Sequence, residues 1–209
     1  LEAPDNLSSL ARSPFVIASA FFIFAIAVPL IEEAVKTVGV PLRAYRQPSM
    51  PQALLWGLAG GAGYALAEGL FNSLGGIESW AVIVSFRVGA TLLHCFTGAL
   101  MGLAWYQALV QKRWSWALGL YALSAGTHGL WNALFATTAL TSLGRQPSET
   151  VGLGTAVPFA LLALLALAVA MGLVLLTQLV RSHDPASPLE AQAVPLAEAT
   201  APTADISGE

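Results

Sequence analysis

Several side chains that can transfer protons or bind metals lie within otherwise apolar stretches of this sequence. Glu32 and Glu33 follow residues 14–30, seventeen positions without a charged side chain. His94 and His128 each lie near the middle of a long apolar segment of their own. A carboxylate beside neutral imidazoles can act as a general base toward water. Hydrolysis is therefore one chemistry that these residue types support.

Metal binding is a second chemistry open to the same residue types. Two histidines and one carboxylate form a common catalytic zinc shell that leaves a position for water. The candidate ligands are His94, His128 and Glu68, and zinc or another divalent metal is the expected cofactor. Asn132 follows His128 by four residues on one helix face, where its amide can donate to a developing oxyanion. The sequence contains no HExxH pattern, which excludes a zincin-like metalloprotease.

The spacing within the glutamate pair divides the roles of its two members. Adjacent positions on an α-helix point about 100° apart, so Glu32 and Glu33 cannot both face one point. Lys36 follows them by four and three residues, where its ammonium can pair with either carboxylate. We expect one glutamate to act on a substrate while Lys36 or another helix holds the other. Lys36 is then a supporting residue.

Glu68 has a supporting role for a different reason. Asn72 follows it by four residues and can donate a hydrogen bond to it. If the helices are straight, at 1.5 Å per residue, Glu68 and Glu32 differ in depth by more than ~10 Å. This difference predicts that Glu68 supports the site from outside it unless a kink at Pro29, a tilt or a shifted second helix closes the gap.

Each of these groups also has a structural explanation. Glutamates at a helix end can be solvated at the membrane interface, and a buried neutral histidine needs only one hydrogen-bond partner. A charge at membrane depth costs roughly 2.5–3.5 kcal/mol on insertion scales, so such groups usually face the bundle interior. Two mid-segment histidines and three glutamates together favour a functional site over separate structural ones. The most C-terminal apolar segment contains no comparable residue.

Composition indicates an integral membrane protein. Of the 209 residues, 56% are hydrophobic and 10% are charged, whereas about a quarter of the residues in a soluble domain are charged. The net charge is −3 and no basic stripe is present, so no nucleic-acid partner is expected. Cys95 is the single cysteine, which excludes an internal disulfide. Nothing in the sequence indicates an oligomeric state.

The predicted fold is an all-α, polytopic membrane bundle with about five transmembrane helices. Apolar segments long enough to cross a core of ~30 Å occur at about 14–40, 50–74, 80–110, 114–140 and 157–180. We therefore assign residues 1–181 to a transmembrane helical domain. Residues 182–209 are rich in proline, alanine and acidic residues and predict a disordered tail. The first residue is leucine rather than methionine, so the prediction allows for helices upstream of Leu1.

Loop charges predict how the chain is oriented in the membrane, and small residues predict where its helices pack closely. The basic residues on one predicted side are Arg43, Arg46, Lys112, Arg113 and Arg181. An excess of basic residues marks the cytoplasmic face, so the tail is expected there. Tryptophans expected to form an aromatic belt near that face are Trp56, Trp105, Trp114 and Trp116. Small residues that allow close helix packing are Gly57, Gly61, Ala65 and Gly69 in the second segment and Gly98 and Gly102 in the third.

Four motifs together resemble a known family. EEAVK, GYALAEGLFN, HCFTGALMG and HGLWN occur in this order on successive apolar segments, over about residues 31–132. This set is similar to that of the PrsW-type intramembrane proteases, which are related to the CAAX prenyl endopeptidases. Glu32 and Glu33 match the double-glutamate motif, with Lys36 in its basic position. The other matching residues are Glu68, the histidines His94 and His128, and Asn132.

The resemblance implies an intramembrane endopeptidase of the bacterial cell membrane, with residues 1–181 as its transmembrane helical peptidase domain. Its implied catalytic residues are Glu32, Glu33, His94, His128 and Asn132. The implied substrate is a membrane-anchored protein, such as an anti-sigma factor cut at its first cleavage site. A non-enzymatic membrane transporter or scaffold that uses the same ionisable residues is the alternative. Ion flux in liposomes without proteolysis would favour that alternative.

Overall fold

The computed structural model describes residues 13–73, 80–142 and 152–182, which are helical almost throughout and contain no strand. The first helical region consists of α1 (Pro14–Phe22), a π-helical turn (Ile23–Ala27) and α2 (Val28–Val35). Two short elements follow, α3 (Gly39–Leu42) and a 3₁₀ turn (Ala44–Arg46). The long helices are α4 (Met50–Ser73), α5 (Trp80–Leu109), α6 (Trp114–Ser142) and α7 (Leu153–Ser182). The predicted all-α class is confirmed.

Three helical segments have the length and hydropathy to cross a membrane. They are Pro14–Leu42, Arg87–Leu109 and Ala156–Ser182. The predicted spans at 50–74 and 114–140 are present as helices of 24 and 29 residues, but they are not among these three. Glycine and polar residues lower their hydropathy, so the predicted number of five spans is not established. The predicted tail lies outside the described residues except for Ser182, which ends α7.

The first helical region is broken where proline interrupts its hydrogen bonds. Pro29 has no N–H, so the carbonyl of Ala25 loses its usual donor four residues later. The N–H of Val28 bonds to the carbonyl of Ile23, five residues back, which defines the π turn. π turns of this kind occur mostly inside α-helices and often at functional sites. The break predicted at Pro29 is therefore present as a π turn directly before it.

Glycines on α4 and α5 bring the two helix backbones into contact. A methyl group at Gly61 would collide with the carbonyl oxygen of His94, and one at Gly57 would collide with that of Gly98. Gly102 meets the carbonyl of Ala53 in the same way. The predicted packing role is confirmed for Gly57, Gly61, Gly98 and Gly102, whereas an added carbon at Gly69 would meet only the Arg87 side chain, at 3.8 Å. Because His94 lies on the contact between α4 and α5, the packing also fixes the position of a candidate site residue.

Gly61→Ala is expected to lower the free energy of unfolding by about 1–3 kcal/mol, the usual cost of overpacking. The added methyl group must push α5 away at His94. Gly63→Ala is the matched control, because Gly63 lies on the same helix with no atom within 4 Å of the added carbon. Denaturant unfolding of both variants in detergent measures the difference. Equal stabilities would contradict the expected backbone contact.

An apolar core joins the last three helices on the side away from the first. Leu93 of α5 and Trp131 of α6 pack against Leu162 and Val169 of α7. Gly172 of α7 lies directly against the ring of Phe96. This core supports α5 and α6 from behind, while their polar side chains face the broken first helix.

Candidate active site

Glu33 lies at the centre of the polar cluster and is fully buried. Its Oε1 accepts hydrogen bonds from Lys36 Nζ at 2.5 Å and from His128 Nδ1 at 2.7 Å. Its Oε2 accepts one from Ser124 Oγ at 2.8 Å. Three donors, one of them the ammonium of an ion pair, thus hold this carboxylate in one orientation. Glu33 is the member of the pair that other side chains immobilise.

Lys36 determines which nitrogen of His94 carries the proton. The ammonium donates to Thr97 Oγ1 at 2.6 Å and lies 3.4 Å from His94 Nδ1. An ammonium can only donate, so Nδ1 must accept and the proton of neutral His94 belongs on Nε2. Nε2 lies 2.8 Å from Glu68 Oε2. The His94 imidazole is therefore oriented from both sides, by Lys36 and by Glu68.

One nitrogen of His128 receives no hydrogen bond from the part of the chain that the structure describes. Its Nδ1–H donates to Glu33, so Nε2 of the neutral ring carries a lone pair. Nε2 lies 3.6 Å from Glu32 Oε2. The Glu32 side chain is 22% exposed, and within the described part of the chain it forms no ion pair with a lysine or arginine. Glu32 and His128 thus present two acceptors side by side.

Glu68 belongs to the same cluster, contrary to the depth estimated for straight helices. In addition to His94, it contacts Arg87 at 3.2 Å and Asn72 at 3.1 Å. The estimate assumed straight helices, whereas the first helical region is broken by the π turn before Pro29. Glu32 lies within the candidate span Pro14–Leu42. The predicted hydrogen bond between Glu68 and Asn72 is confirmed.

The two histidine rings meet across α5 and α6. Their centroids are 4.9 Å apart, and the planes are nearly perpendicular. Both rings line a cavity of about 440 Å³, within the usual range for a small-molecule site. Glu68, Arg87 and Asn132 also line it. This cavity leaves open space beside both imidazoles.

Asn132 reaches the first helical region rather than another side chain of the cluster. Its Nδ2 donates to the backbone carbonyl of Phe24 at 2.9 Å. This bond uses one N–H of the amide, and no acceptor for the second N–H is found among the described residues. The structure places Asn132 beside the cavity with His128, as its spacing on the helix predicts.

Some contributing residues carry no charge and were not identified from the sequence. Thr97 follows His94 by three residues and holds Lys36. Tyr64 precedes Glu68 by four residues and lies with its ring 5.4 Å from that of His94. Helical spacing from known site residues is the signal that identifies such neighbours. Trp105, expected in an aromatic belt, donates to the buried hydroxyl of Thr37 at 3.1 Å.

The donors as arranged do not fit a catalytic zinc site, in which three protein ligands converge on one point. Both nitrogens of His94 already have partners, and Glu68 Oε2 is one of them. The remaining candidates are Glu32 Oε2 and His128 Nε2, which are two rather than three. Across residues 13–73, 80–142 and 152–182, no group of three or more ligand side chains could hold a metal ion.

Comparison with known proteins identifies one family. The model of the PrsW family intramembrane metalloprotease matches residues 5–171, which include every residue of the cluster described above. No curated protein and no solved structure matches the chain. The matched range covers well over half of the sequence and agrees with the resemblance carried by the four motifs. The chain belongs to the PrsW family of intramembrane metalloproteases.

Proposed function

We propose that this intramembrane protease hydrolyses peptide bonds of membrane-anchored proteins with Glu32 as the general base. One observation carries the assignment. Glu33 is paired with Lys36, and Glu68 is paired with Arg87, so Glu32 is the carboxylate of the cluster without a lysine or arginine partner among the described residues. A carboxylate without such a partner, next to a free imidazole nitrogen, is suited to take a proton from water.

The geometry supports a specific placement of that water. A molecule within hydrogen-bond distance of both Glu32 Oε2 and His128 Nε2 can donate one proton to each acceptor. Its oxygen then attacks the scissile carbonyl carbon as Glu32 accepts the proton. Collapse of the tetrahedral intermediate breaks the C–N bond, and protonated Glu32 returns the proton to the leaving nitrogen. The products are a carboxylic acid and an amine, and Glu32 is again ionised.

In this proposal, the other residues of the cluster orient the histidines and stabilise the oxyanion. Glu33 fixes the His128 tautomer through Nδ1, which keeps the Nε2 lone pair available for water. The second N–H of Asn132 is the proposed oxyanion donor. His94, held by Lys36 and Glu68, lines the cavity next to His128. Glu33, Lys36 and Glu68 therefore act through the two histidines.

The use of a metal ion is also a proposal, supported by the residue types and by the family description. Zinc with His94, His128 and Glu68 as ligands needs the hydrogen bond between His94 and Glu68 to open. No step above uses a metal. Zinc analysis of purified wild-type protein beside a His94→Ala/His128→Ala double variant tests the ligand set, because stoichiometric zinc lost only in the variant would assign both histidines to it.

We further propose the wider setting from sequence features. The helices α4 and α6 cross the membrane with the three candidate spans, which gives five spans in a bacterial cell membrane. Basic residues in the loops favour a cytoplasmic C-terminal tail. Arg43 lies 5.8 Å from the ring centroid of Trp56, which supports a membrane interface at this end. An anti-sigma factor is the proposed example of a substrate.

Cleavage in proteoliposomes tests the function directly. We expect wild-type protein to cut members of a library of single-span reporters, each tagged on both sides of its span, with products mapped by mass spectrometry. His128→Ala should reduce cleavage by about 10²–10⁴-fold, the usual contribution of acid–base catalysis. Circular dichroism confirms that the variant remains helical. Retained cleavage in this variant would contradict the proposed role of His128, whereas ion flux without any cleavage would favour the transporter alternative.

A further inference from the structure

One face of α6 binds the first helical region at four places. Tyr121, Ser124, His128 and Asn132 follow one another at intervals of three, four and four residues. Ser124 and His128 bind the carboxylate of Glu33. The other two side chains bind backbone carbonyls instead. Helical spacing thus places all four contacts on one line along α6.

The carbonyl bound by Asn132 has no donor within its own helix. The N–H of Val28, which would bond to Phe24 in an α-helix, bonds to Ile23 in the π turn. The next candidate donor along the chain is Pro29, which has no N–H. Nδ2 of Asn132 supplies the missing hydrogen bond at 2.9 Å. An unpaired carbonyl in hydrocarbon would cost several kcal/mol.

Two further contacts hold the same break. Gly129 lets the backbone of α6 approach the carbonyl of Ala25, which Pro29 also deprives of its usual donor. The hydroxyl of Tyr121 donates to the carbonyl of Leu30 at 2.7 Å. Contacts from α6 therefore hold the chain before and after Pro29. Glu32 lies only two residues beyond Leu30.

We propose that Asn132 is a positioning residue, which sets the location of Glu32 by binding the carbonyl of Phe24 in the π turn. Asn132 and His128 lie one turn apart on the same helix. A helix rotation or shift at the break would change the distance between Glu32 Oε2 and His128 Nε2, 3.6 Å here. The amide thus sets the geometry of the base, separately from any contact with the oxyanion. The catalytic consequence rests on the proposed function, whereas the positional effect is measurable without a substrate.

Distance measurement between two spin labels tests the proposal. Labels at Ile31→Cys and Leu130→Cys occupy lipid-exposed neighbours of Glu32 and Gly129, in a Cys95→Ala background. We expect Asn132→Ala to broaden the distance distribution and to shift its mean by about 1–2 Å, the size of a typical helix shift. Asn72→Ala is the matched control, because Asn72 bonds a side chain of the cluster rather than the break.

Repeating the measurement in a Pro29→Ala background shows whether Asn132 acts through the carbonyl of Phe24 or through general packing between the helices. This substitution restores the N–H at position 29, so an unbroken α-helix can form in which Val28 donates to Phe24 and residue 29 donates to Ala25, and neither carbonyl then depends on α6. We expect Asn132→Ala to cause no further broadening there. An equal effect in both backgrounds, or no effect in either, would overturn the proposal. These distances are independent of cleavage, so a failed protease assay leaves their interpretation unchanged.

Discussion

Glu32→Gln is expected to reduce peptide cleavage by about 10²–10⁴-fold, the contribution of a general base, while the protein stays folded. The glutamine keeps the shape of the side chain but cannot take a proton from water. Glu32 is partly exposed and has no lysine or arginine partner among the described residues, so few contacts of the folded state are lost. Initial rates on a reporter cut by the wild type, together with thermal unfolding, measure both effects.

Glu33→Gln is the comparison variant for this prediction, because it makes the same change one residue away. Glu33 accepts from Lys36, His128 and Ser124, so its substitution should lower the unfolding temperature as well as the rate. A Glu32→Gln protein that cleaves at the wild-type rate, beside an inactive but stable Glu33→Gln protein, would reverse the proposed roles.

Lys36→Met is expected to destabilise the protein by about 3–5 kcal/mol, the cost of leaving a buried charge without its partner. The Lys36 and Glu33 side chains are both 0% exposed, and methionine removes the ion pair without leaving a large cavity. His94 Nδ1 and Thr97 also lose their contact with the ammonium. Equilibrium unfolding in detergent, where it is reversible, measures the change.

A double variant shows whether the stability loss comes from the unpaired charge. Glu33→Gln/Lys36→Met removes both charges, so its stability should exceed that of Lys36→Met alone. Lys112→Met is the matched control, because Lys112 is exposed and follows α5 outside the cluster. If the double variant is less stable than Lys36→Met, the unpaired Glu33 carboxylate is not the cause of the stability loss.

Helix positions were largely predictable from apolar patterning. The expected segment 114–140 corresponds to Trp114–Ser142, and the expected segment 157–180 corresponds to Leu153–Ser182. Segment length sets such bounds, because only long apolar stretches cross a hydrocarbon core. The π turn Ile23–Ala27 was beyond this reasoning. Apolar patterning does not reveal which hydrogen bonds shift register near a proline.

The sequence predicted that the two glutamates have different roles, but not which glutamate has which role. Spacing showed that Glu32 and Glu33 point in different directions and that Lys36 can reach either. The rotation of the first helical region, set by contacts from α6, decides that Glu33 is the buried member. The contact of Asn132 with a backbone carbonyl is equally a tertiary feature. Side-chain spacing in sequence carries no information about backbone partners on another helix.

The modest hydropathy of α4 and α6 has a consequence for biogenesis. These helices carry Glu68 and His128, and neither helix is a candidate membrane span by its hydropathy. A polar side chain is costly to insert alone, so each helix needs a neighbour during translocation. The glycine contact between α4 and α5 offers one such neighbour. If α4 spans the membrane as proposed, we expect α4 and α5 to enter the bilayer as a preassembled hairpin, with Glu68 already paired with Arg87 and His94 before lipid surrounds them.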